Sequence, residues 1–470
     1  MKKSKMTFAL YFGNRGFFPE KLVSDARSEM TKALAKFGHD SICMKASETR
    51  HGAVEGTEDG IKYAKFLSAN KGKYDGVILC LPNFGDETGA IAALQDCGVP
   101  ILIQAYPDEP GKMGFSERRD AFCGKFSVMD VFCQYGLPFT TFAPHTVLPS
   151  SKIFEEHLRD FAAVCRIVKG MRRLTVGAIG ARTTAFKTVR FDELALQKHG
   201  ITTEALDLSE LFMRVRNVKV GSSKFLEKAE RLKRYTSWTG VPREKFEMLA
   251  KTSVAIDDII SDYKMDCIAL RCWIEMEQEL GISPCVLLSE INDRGIAAAC
   301  ELDVCNAVPM HALGLASESP ATCLDWNNNY GDDQDKCILF HCGPVPQKMM
   351  TCKGKVIDHP MFAKAMGAGC GWGCNVGRIA PSPITFSSSK TDSGKLVFYL
   401  GEGEFTDDKI DDDFFGCAGV AKISGLQGLL KNIGYGGFRH HVGVSTGHWG
   451  NALREAFGRY LNYDLIEDVK

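Results

Sequence analysis

Along roughly the first 150 residues, short apolar runs alternate with amphipathic stretches, the pattern of βα units that build a parallel sheet. TFALYFG, YDGVILCLPN and VPILIQAYP read as strands. PEKLVSDARSEMTKALAKFG has helical spacing with Gly38 as its stop, and GAIAALQDCG reads as a second helix. Each strand runs out into polar, Gly- or Pro-rich residues (FGNRG, PNFGDETG, YPDEPG), the carboxyl ends where doubly wound sheets bind ligands. A charged helical stretch, FEEHLRDFAAVCRIVKGMRR, leads to a fresh strand, LTVGAIG, which places a boundary near residue 170. A second α/β unit follows, with DELALQKHG as helix, ITTEALDLSEL as strand and turn, and DCIALRCW as a further strand. Between them, the Lys- and Arg-rich segment Arg214 to Lys245 reads as a solvated helical excursion. From about Pro344 the texture becomes Gly-rich and alternating, as in ITFSSSKTDSGKLVFYLGEGEF, which predicts antiparallel strands. The predicted fold is α/β: two Rossmann-like or flavodoxin-like parallel-sheet domains (1–170 and 171–343), then a β-rich, barrel-like C-terminal domain (344–470).

Composition narrows the partners. Lys and Arg number 57 against 58 Asp and Glu, so no basic face for nucleic acid or an anionic membrane is expected. No run of 18 apolar residues exists to span a membrane. The opening MKKSKMTFALYFGNRG reads as a strand and not as a signal peptide, which makes a cytoplasmic location the expectation. The eighteen cysteines are accordingly read as reduced thiols. They contain no C-x-x-C pair, and the spacings of Cys370 with Cys374 and Cys337 with Cys342 suit a structural zinc poorly.

The candidate chemistry starts with ACELDVCNAVPM, where Glu301 and Asp303 sit inside an otherwise apolar run. Ile296 to Cys300 reads as a strand and the residues after Asp303 as a helix, so both carboxylates fall at a strand's carboxyl end. About 25 residues earlier, DCIALRCW hands over to IEMEQELG, placing Glu275 and Glu277 at an equivalent position. Two neighbouring parallel strands would bring both acidic pairs to one sheet edge, where converging carboxylates suit a hard ion, Mg²⁺ or Mn²⁺. The bland alternative is first-turn acids that favour the helix dipole. Further candidates are the pair His440 and His441 in GYGGFRHHVGVS, of which strand alternation allows only one to serve a given site. His341 leaves the strand CILF. LDWNNNYG offers Asp325, Trp326 and three asparagines whose amides could meet sugar hydroxyls, although NNNYGDD also reads as a turn-rich loop. GAIGARTTAF lacks both phosphate-loop patterns, so nucleotide binding is rejected.

Taken together, LPNFGDETGA, GAIGARTTAFKTVRFDE, RCWIEMEQELG, ACELDVCNAVPM, LDWNNNYG with LFHCG, and GFRHHVGVSTGHW give a sequence that resembles the L-fucose/L-arabinose isomerase superfamily. The shorter fucose-isomerase-like proteins, some of which act on sulfosugars, are the branch it is most similar to. The resemblance implies an aldose–ketose isomerase using Mn²⁺ (Mg²⁺ or Co²⁺ as substitutes) held by two acidic residues and a histidine. Carried onto this chain, the ligands would be Glu275, with Glu277 as the alternative, Asp303 and His441, and the two acids would also move protons through an enediol. Glu301, Asn327, Asn328, His341, Arg439 and His440 would line the sugar. The substrate would be L-fucose, L-arabinose or a related aldose, or an anionic sugar such as sulfoquinovose, with Arg439, Arg182 and Arg190 to meet its charge. The resemblance also implies a homo-oligomer, trimer or hexamer, with LPNFGDE and the early NRG loop reaching a neighbour's site. Asparagine stands where arabinose isomerases carry a further histidine ligand, and Arg439 stands where a small residue is commoner. The competing classes are a non-catalytic sugar-binding protein and a metal-dependent aldolase.

Overall fold

A computed structural model describes residues 4–114 and 116–466, which divide into two compact units. One comprises the chain up to Lys169 together with Arg454–Leu461; the other runs from Gly170 to Leu453 and takes in the residues from Asn462 onward.

The N-terminal unit is built on a parallel sheet of β1 (Thr7–Phe12), β2 (Asp40–Cys43), β3 (Gly76–Leu81) and β4 (Ile101–Ala105), in the order β2-β1-β3-β4. Strands β3 and β4 are buried throughout, as expected of a sheet covered on both faces. The helix Lys21–Lys36 ends one residue before Phe37, and Gly38 takes the left-handed conformation that stops it. The late segment Arg454–Leu461 returns to this unit, where the Tyr460 hydroxyl bonds the Ile101 backbone N–H at 3.2 Å and the Thr140 hydroxyl at 3.0 Å.

The second unit opens with another parallel sheet: β5 (Leu174–Ile179), β6 (Ile201–Leu206), β7 (Cys267–Leu270) and β8 (Ala298–Ala299), in the order β6-β5-β7-β8. The strand order turns back between β5 and β7, so the crevice outside their carboxyl ends is the natural ligand position. The basic excursion forms the helices Leu208–Asn217, Ser223–Tyr235 and Arg243–Asp262, and its charges are not all solvated. Lys228 and Glu290 are buried, within a network that adds Asp257, Arg231 and Arg294. No described helix is long and apolar enough to cross a membrane, and all eighteen cysteines are free thiols.

The rest of this unit is an antiparallel barrel. Strands β9 (Ala321–Asn329), β10 (Lys336–His341), β13 (Ser382–Asp392), β14 (Lys395–Phe405), β15 (Cys417–Lys422) and β16 (His441–Thr446) pair in the ring β15-β10-β9-β16-β13-β14, closed by β14 against β15. β11 (Lys355–Asp358) and β12 (Trp372–Arg378) extend the sheet beside β15, and β17 (Asp464–Leu465) adds an edge to β14. The barrel therefore begins at Ala321, earlier than the change of texture near Pro344. NNNYGDD is also less of a loop than its composition suggests: β9 runs through all three asparagines, and the turn starts at Tyr330. Pairing with β10 decides that conformation, which the Asn-rich composition by itself disfavours.

Inside the barrel, Phe386 lies opposite Gly401, Trp326 meets the Phe386 ring edge-on, and the Trp326 indole N–H donates to the Tyr399 hydroxyl at 3.1 Å. Tyr399 packs in turn on Phe438 (centroids 4.8 Å apart), two residues before His440. A Cβ at Gly401 would fall within the space of the Phe386 ring. Gly401→Ala should therefore destabilise the barrel by about 1–3 kcal/mol, as overpacked cores do. A lowered thermal unfolding midpoint is the measurement that checks it.

Candidate active site

Three loops at the carboxyl edge of the second sheet meet the start of β16, β9 and the end of β10. After β8 the chain turns sharply through Glu301 and Leu302, both left-handed (φ 59° and 62°), a conformation costly for residues with side chains. That turn makes Asp303 the cap of the helix Val304–Ser317, its Oδ1 accepting the Asn306 N–H at 3.1 Å. Strand register then sets His441 directly opposite Asp325 on β9.

Asp303 is fully buried and surrounded by donors. The Arg439 guanidinium pairs with Oδ1, and His441 Nδ1 lies 2.8 Å from Oδ2. With Nδ1 as the donor, the other ring nitrogen of His441 faces outward: Nε2 is 3.0 Å from Glu301 Oε2 and 3.5 Å from Asp325 Oδ1. Glu301 Oε1 accepts the Trp273 indole N–H at 3.2 Å. The His440 ring lies tilted at 50° against that of His441 with centroids 4.3 Å apart, and its Nε2 lies 3.8 Å from Asp325 Oδ1. Adjacent histidines can both face Asp325 because His440 precedes β16, where strand alternation does not apply. His341 is buried, its Nδ1 accepts the Cys342 N–H at 2.9 Å, and its Nε2 finds no hydrogen-bond partner among the described residues. Cys272 and Cys300, sulfurs 3.3 Å apart, are packed beneath these loops.

The charges reinforce one another. Burial disfavours the His441 cation, but the Cys323 sulfur and the Asp303 and Glu301 carboxylates hold its pKa well above the ordinary imidazole value. Burial would likewise raise Glu301, yet the hydrogen bond and charge of His441, with His341 and His440 beyond, bring it down to about 2. Asp303 is lowered against its own burial by Arg439 and His441. Burial and then His441 depress His440.

Among the described residues, two groups of side chains have ligand atoms close enough to share an ion: Glu301 with His440 and His441, and Cys323 with His341 and His441. Beside the first group, Asp325 Oδ1 is within ion-pair distance of both histidines but accepts no hydrogen bond among the described residues. Carboxylate and imidazole donors fit a hard or borderline divalent ion, and the thiol, pushed up to about 12 by burial, is the poorer donor.

Glu275, Glu277, Asn327 and Asn328 lie outside these groups, whereas Asp303 and Arg439 lie against His441 within the cluster. Glu275 opens a short helix and is occupied by Arg271 and by the Ile274 N–H. Its alternative, Glu277, is buried on the Ser283 hydroxyl at 2.8 Å and raised by that burial to about 7. Among the described residues neither belongs to the convergent groups: Glu275 is taken up by Arg271 and Glu277 by Ser283. Asp303 has both oxygens engaged, Oδ1 by Arg439 and the Asn306 N–H and Oδ2 by His441 Nδ1. Arg439 is buried on Asp303 and does not present its charge outward. Asn327 and Asn328 are exposed, further along β9 than Asp325. Trp273 and Phe186 were not anticipated: the Phe186 ring lies 5.6 Å from Trp273 and 5.5 Å from His440. Both lie in the family motifs GAIGARTTAFKTVRFDE and RCWIEMEQELG, which are the signal they left in the sequence.

Residues 9–172 match the family model described as fucose/sulfoquinovose isomerase, N-terminal domain, and residues 339–467 that of the L-fucose isomerase C-terminal domain, together more than half of the chain. The chain belongs to the fucose isomerase family. Two sulfoquinovose isomerases, from Priestia aryabhattai and Priestia megaterium, are each 25% identical over 402 residues, 85% of this chain and 87% of the relative. A third, from Alkalicoccus urumqiensis, is 22% identical over 281 residues, covering 59% of this chain and 61% of its own. As a member of the fucose isomerase family, the protein is an aldose–ketose isomerase acting on a small sugar.

The buried cluster has a pH signature in the metal-free protein. The raised His441 contributes stability in full below the ordinary imidazole pKa and loses it as pH rises through its folded value. The depressed Glu301 contributes above the ordinary carboxylate range and loses its share as pH falls towards about 2. Asp303→Asn should shift the His441 titration down towards the ordinary value, followed by NMR of the imidazole. Arg439→Met, which leaves Asp303 buried without its cation, should cost about 3–5 kcal/mol of stability in denaturant unfolding.

Proposed function

We propose that this protein is a divalent-metal-dependent isomerase that converts a sulfonated aldose, of the sulfoquinovose type, into its ketose through a 1,2-enediol. The reading is supported by the names of the relatives and by one observation above all: a carboxylate, two imidazoles and an Asp325 oxygen that accepts no hydrogen bond among the described residues converge at the carboxyl edge of β8. Glu301, His440 and His441 would hold the ion, with Mn²⁺ as the preferred metal and Mg²⁺ or Co²⁺ as substitutes. When bound, it supplies Lewis-acid polarisation of the sugar carbonyl.

The chain's own groups do the rest. Asp303 fixes His441 with its proton on Nδ1, which keeps Nε2 available, the usual arrangement behind a ligating histidine. His341 accepts at Nδ1, so the neutral ring carries its proton at Nε2, a donor for a sugar oxygen. Asp325 Oδ1 takes the C2 proton while O1 gains a proton, giving the enediol. Return of that proton to C1, with the O2 proton passing to the group that protonated O1, completes the ketose and restores both groups. Trp273 holds Glu301 in place through its indole N–H and, with Phe186, covers one side of the histidines. The ligand and acid–base roles expected of Glu275 and Asp303 thereby pass to Glu301 and Asp325.

We further infer a homo-oligomer, trimer or hexamer, in which loops of the N-terminal unit complete a neighbour's site. Those loops leave β1 and β3 at that sheet's own switch point: Arg15 stacks over Phe84 and pairs with Glu87 at 2.5 Å, on the buried Asn14 and Asn83. Sedimentation velocity should give a trimer or larger; a monomer at working concentration would refute the shared site.

The catalytic reading is checked by stripping the enzyme with a chelator, restoring Mn²⁺ and following ketose formation from a sulfonated hexose, L-fucose and L-arabinose. Glu301→Gln should lose bound metal. Asp325→Asn should keep it while kcat falls by about 10²–10⁴-fold, the range for a removed general base. No turnover of any sugar with metal restored, together with full metal binding by Glu301→Gln, would sink the proposal.

A further inference from the structure

The loop that follows β5 carries positive charge with no ion-pair partner among the described residues. It begins at the left-handed Gly180 and runs to Arg190, beside the crevice between the carboxyl ends of β5 and β7. Two contacts bind it to the site. The Thr183 hydroxyl donates to the Trp273 carbonyl at 2.9 Å, and the Phe186 ring rests against Trp273, His440 and His441. Trp273 is the residue whose indole holds Glu301, so the loop stands one side chain away from the carboxylate cluster.

Arg182 is half-buried, and its recorded bonds all come from Nη1, which donates to Thr183 O at 3.0 Å and Thr184 O at 2.9 Å. Among the described residues no carboxylate lies within ion-pair distance of it. The same holds for Lys187 and Arg190, which are exposed, Arg190 Nε donating only to the Lys187 carbonyl. The contrast with the other arginines around the site is sharp. Arg271 is paired with Glu275, and Arg439 with Asp303. The nearest acid along the loop, Asp192, spends its side chain capping the helix Glu193–Gln197 through the Leu194 and Ala195 N–H groups. Lys187 and Arg190 are solvated, but Arg182 is a half-buried guanidinium whose Nε and Nη2 meet no partner among the described residues, which leaves that side of its fork open for an anionic ligand.

We propose that the Gly180–Arg190 loop is the anion subsite of the active site, and that Arg182 is the residue selecting a sugar with a sulfonate at the end remote from its carbonyl. This rests on the isomerase reading above and adds the residue that sets its substrate class. A sulfonate is ionised at every physiological pH and offers three acceptor oxygens, which a guanidinium meets in a fixed fork. A neutral deoxy sugar carries a methyl group or hydrogen there and gains nothing from the cation. Lys187 and Arg190, at the open side of the loop, add long-range attraction that salt would screen.

The test compares kcat/KM for a sulfonated hexose with kcat/KM for a neutral aldose in the wild type, Arg182→Met and Arg182→Lys, all loaded with Mn²⁺. Arg182→Met should lower the sulfonated-to-neutral ratio by about 10- to 100-fold, the weight of a charged hydrogen bond, chiefly through KM. Arg182→Lys should recover part of the loss. A ratio unchanged in Arg182→Met overturns the subsite even if the enzyme is active. If the wild type turns over neither sugar, the isomerase reading fails separately, and calorimetric binding of the sulfonated hexose then decides: equal affinity in wild type and Arg182→Met refutes the subsite, and weakened affinity in the variant supports it.

Discussion

A carboxylate with no access to water governs this site. Asp303 is fully buried, and an ionised group there is tolerated only if its lone pairs are met by charge and donors on several sides. Arg439, His441 and the Asn306 N–H meet that demand, and the two side chains come from more than 130 residues further along the chain. The interaction therefore joins the end of the second parallel sheet to the first residues of β16. Any arrangement that separated them would leave both a buried anion and a buried cation uncompensated.

From that constraint the remaining geometry follows. His441 must offer Nδ1 to Asp303, so Nε2 turns towards Glu301 and Asp325. The antiparallel register of β16 with β9 puts Asp325 opposite His441, and β10 delivers His341 from the other side of β9. Division of labour between neighbouring carboxylates is the physical result: one is closed off by donors and orients the imidazole, one faces the imidazole, one keeps an open oxygen.

Both parallel sheets repeat a single plan, with the order turning back after the first strand. In each, the loops that leave the two strands flanking the turning point touch one another: Asn14 with Asn83 in the N-terminal unit, Thr183 with Trp273 in the second. Only the second sheet is followed by a barrel that adds histidines to its crevice. The same sheet order thus yields a metal-type cluster in one unit and a polar, arginine-bearing loop pair in the other.

Much was legible before folding. Apolar runs of strand length, separated by amphipathic stretches, specify βα units because burial on two faces and on one face leave different periodicities. That local signal placed β1, β3, β4, β5 and β7 and set Glu301 and Asp303 at a strand's end. Family motifs identified the activity class. Roles within the site were not legible, because Glu275, Glu277, Glu301 and Asp303 are alike as residue types at strand ends. What separates them is which oxygen meets Arg271, Ser283, His441 or Arg439, and those partners are set by packing. Asp325, seen only as part of a polar run, gained its position from strand register, and His440 from lying one residue outside a strand. The sequence alone determined the layers of the fold, the class of reaction and the pool of charged groups. The tertiary structure alone decided which charges are buried against one another and which remain free for a ligand, since desolvation and pairing act between residues far apart in the chain.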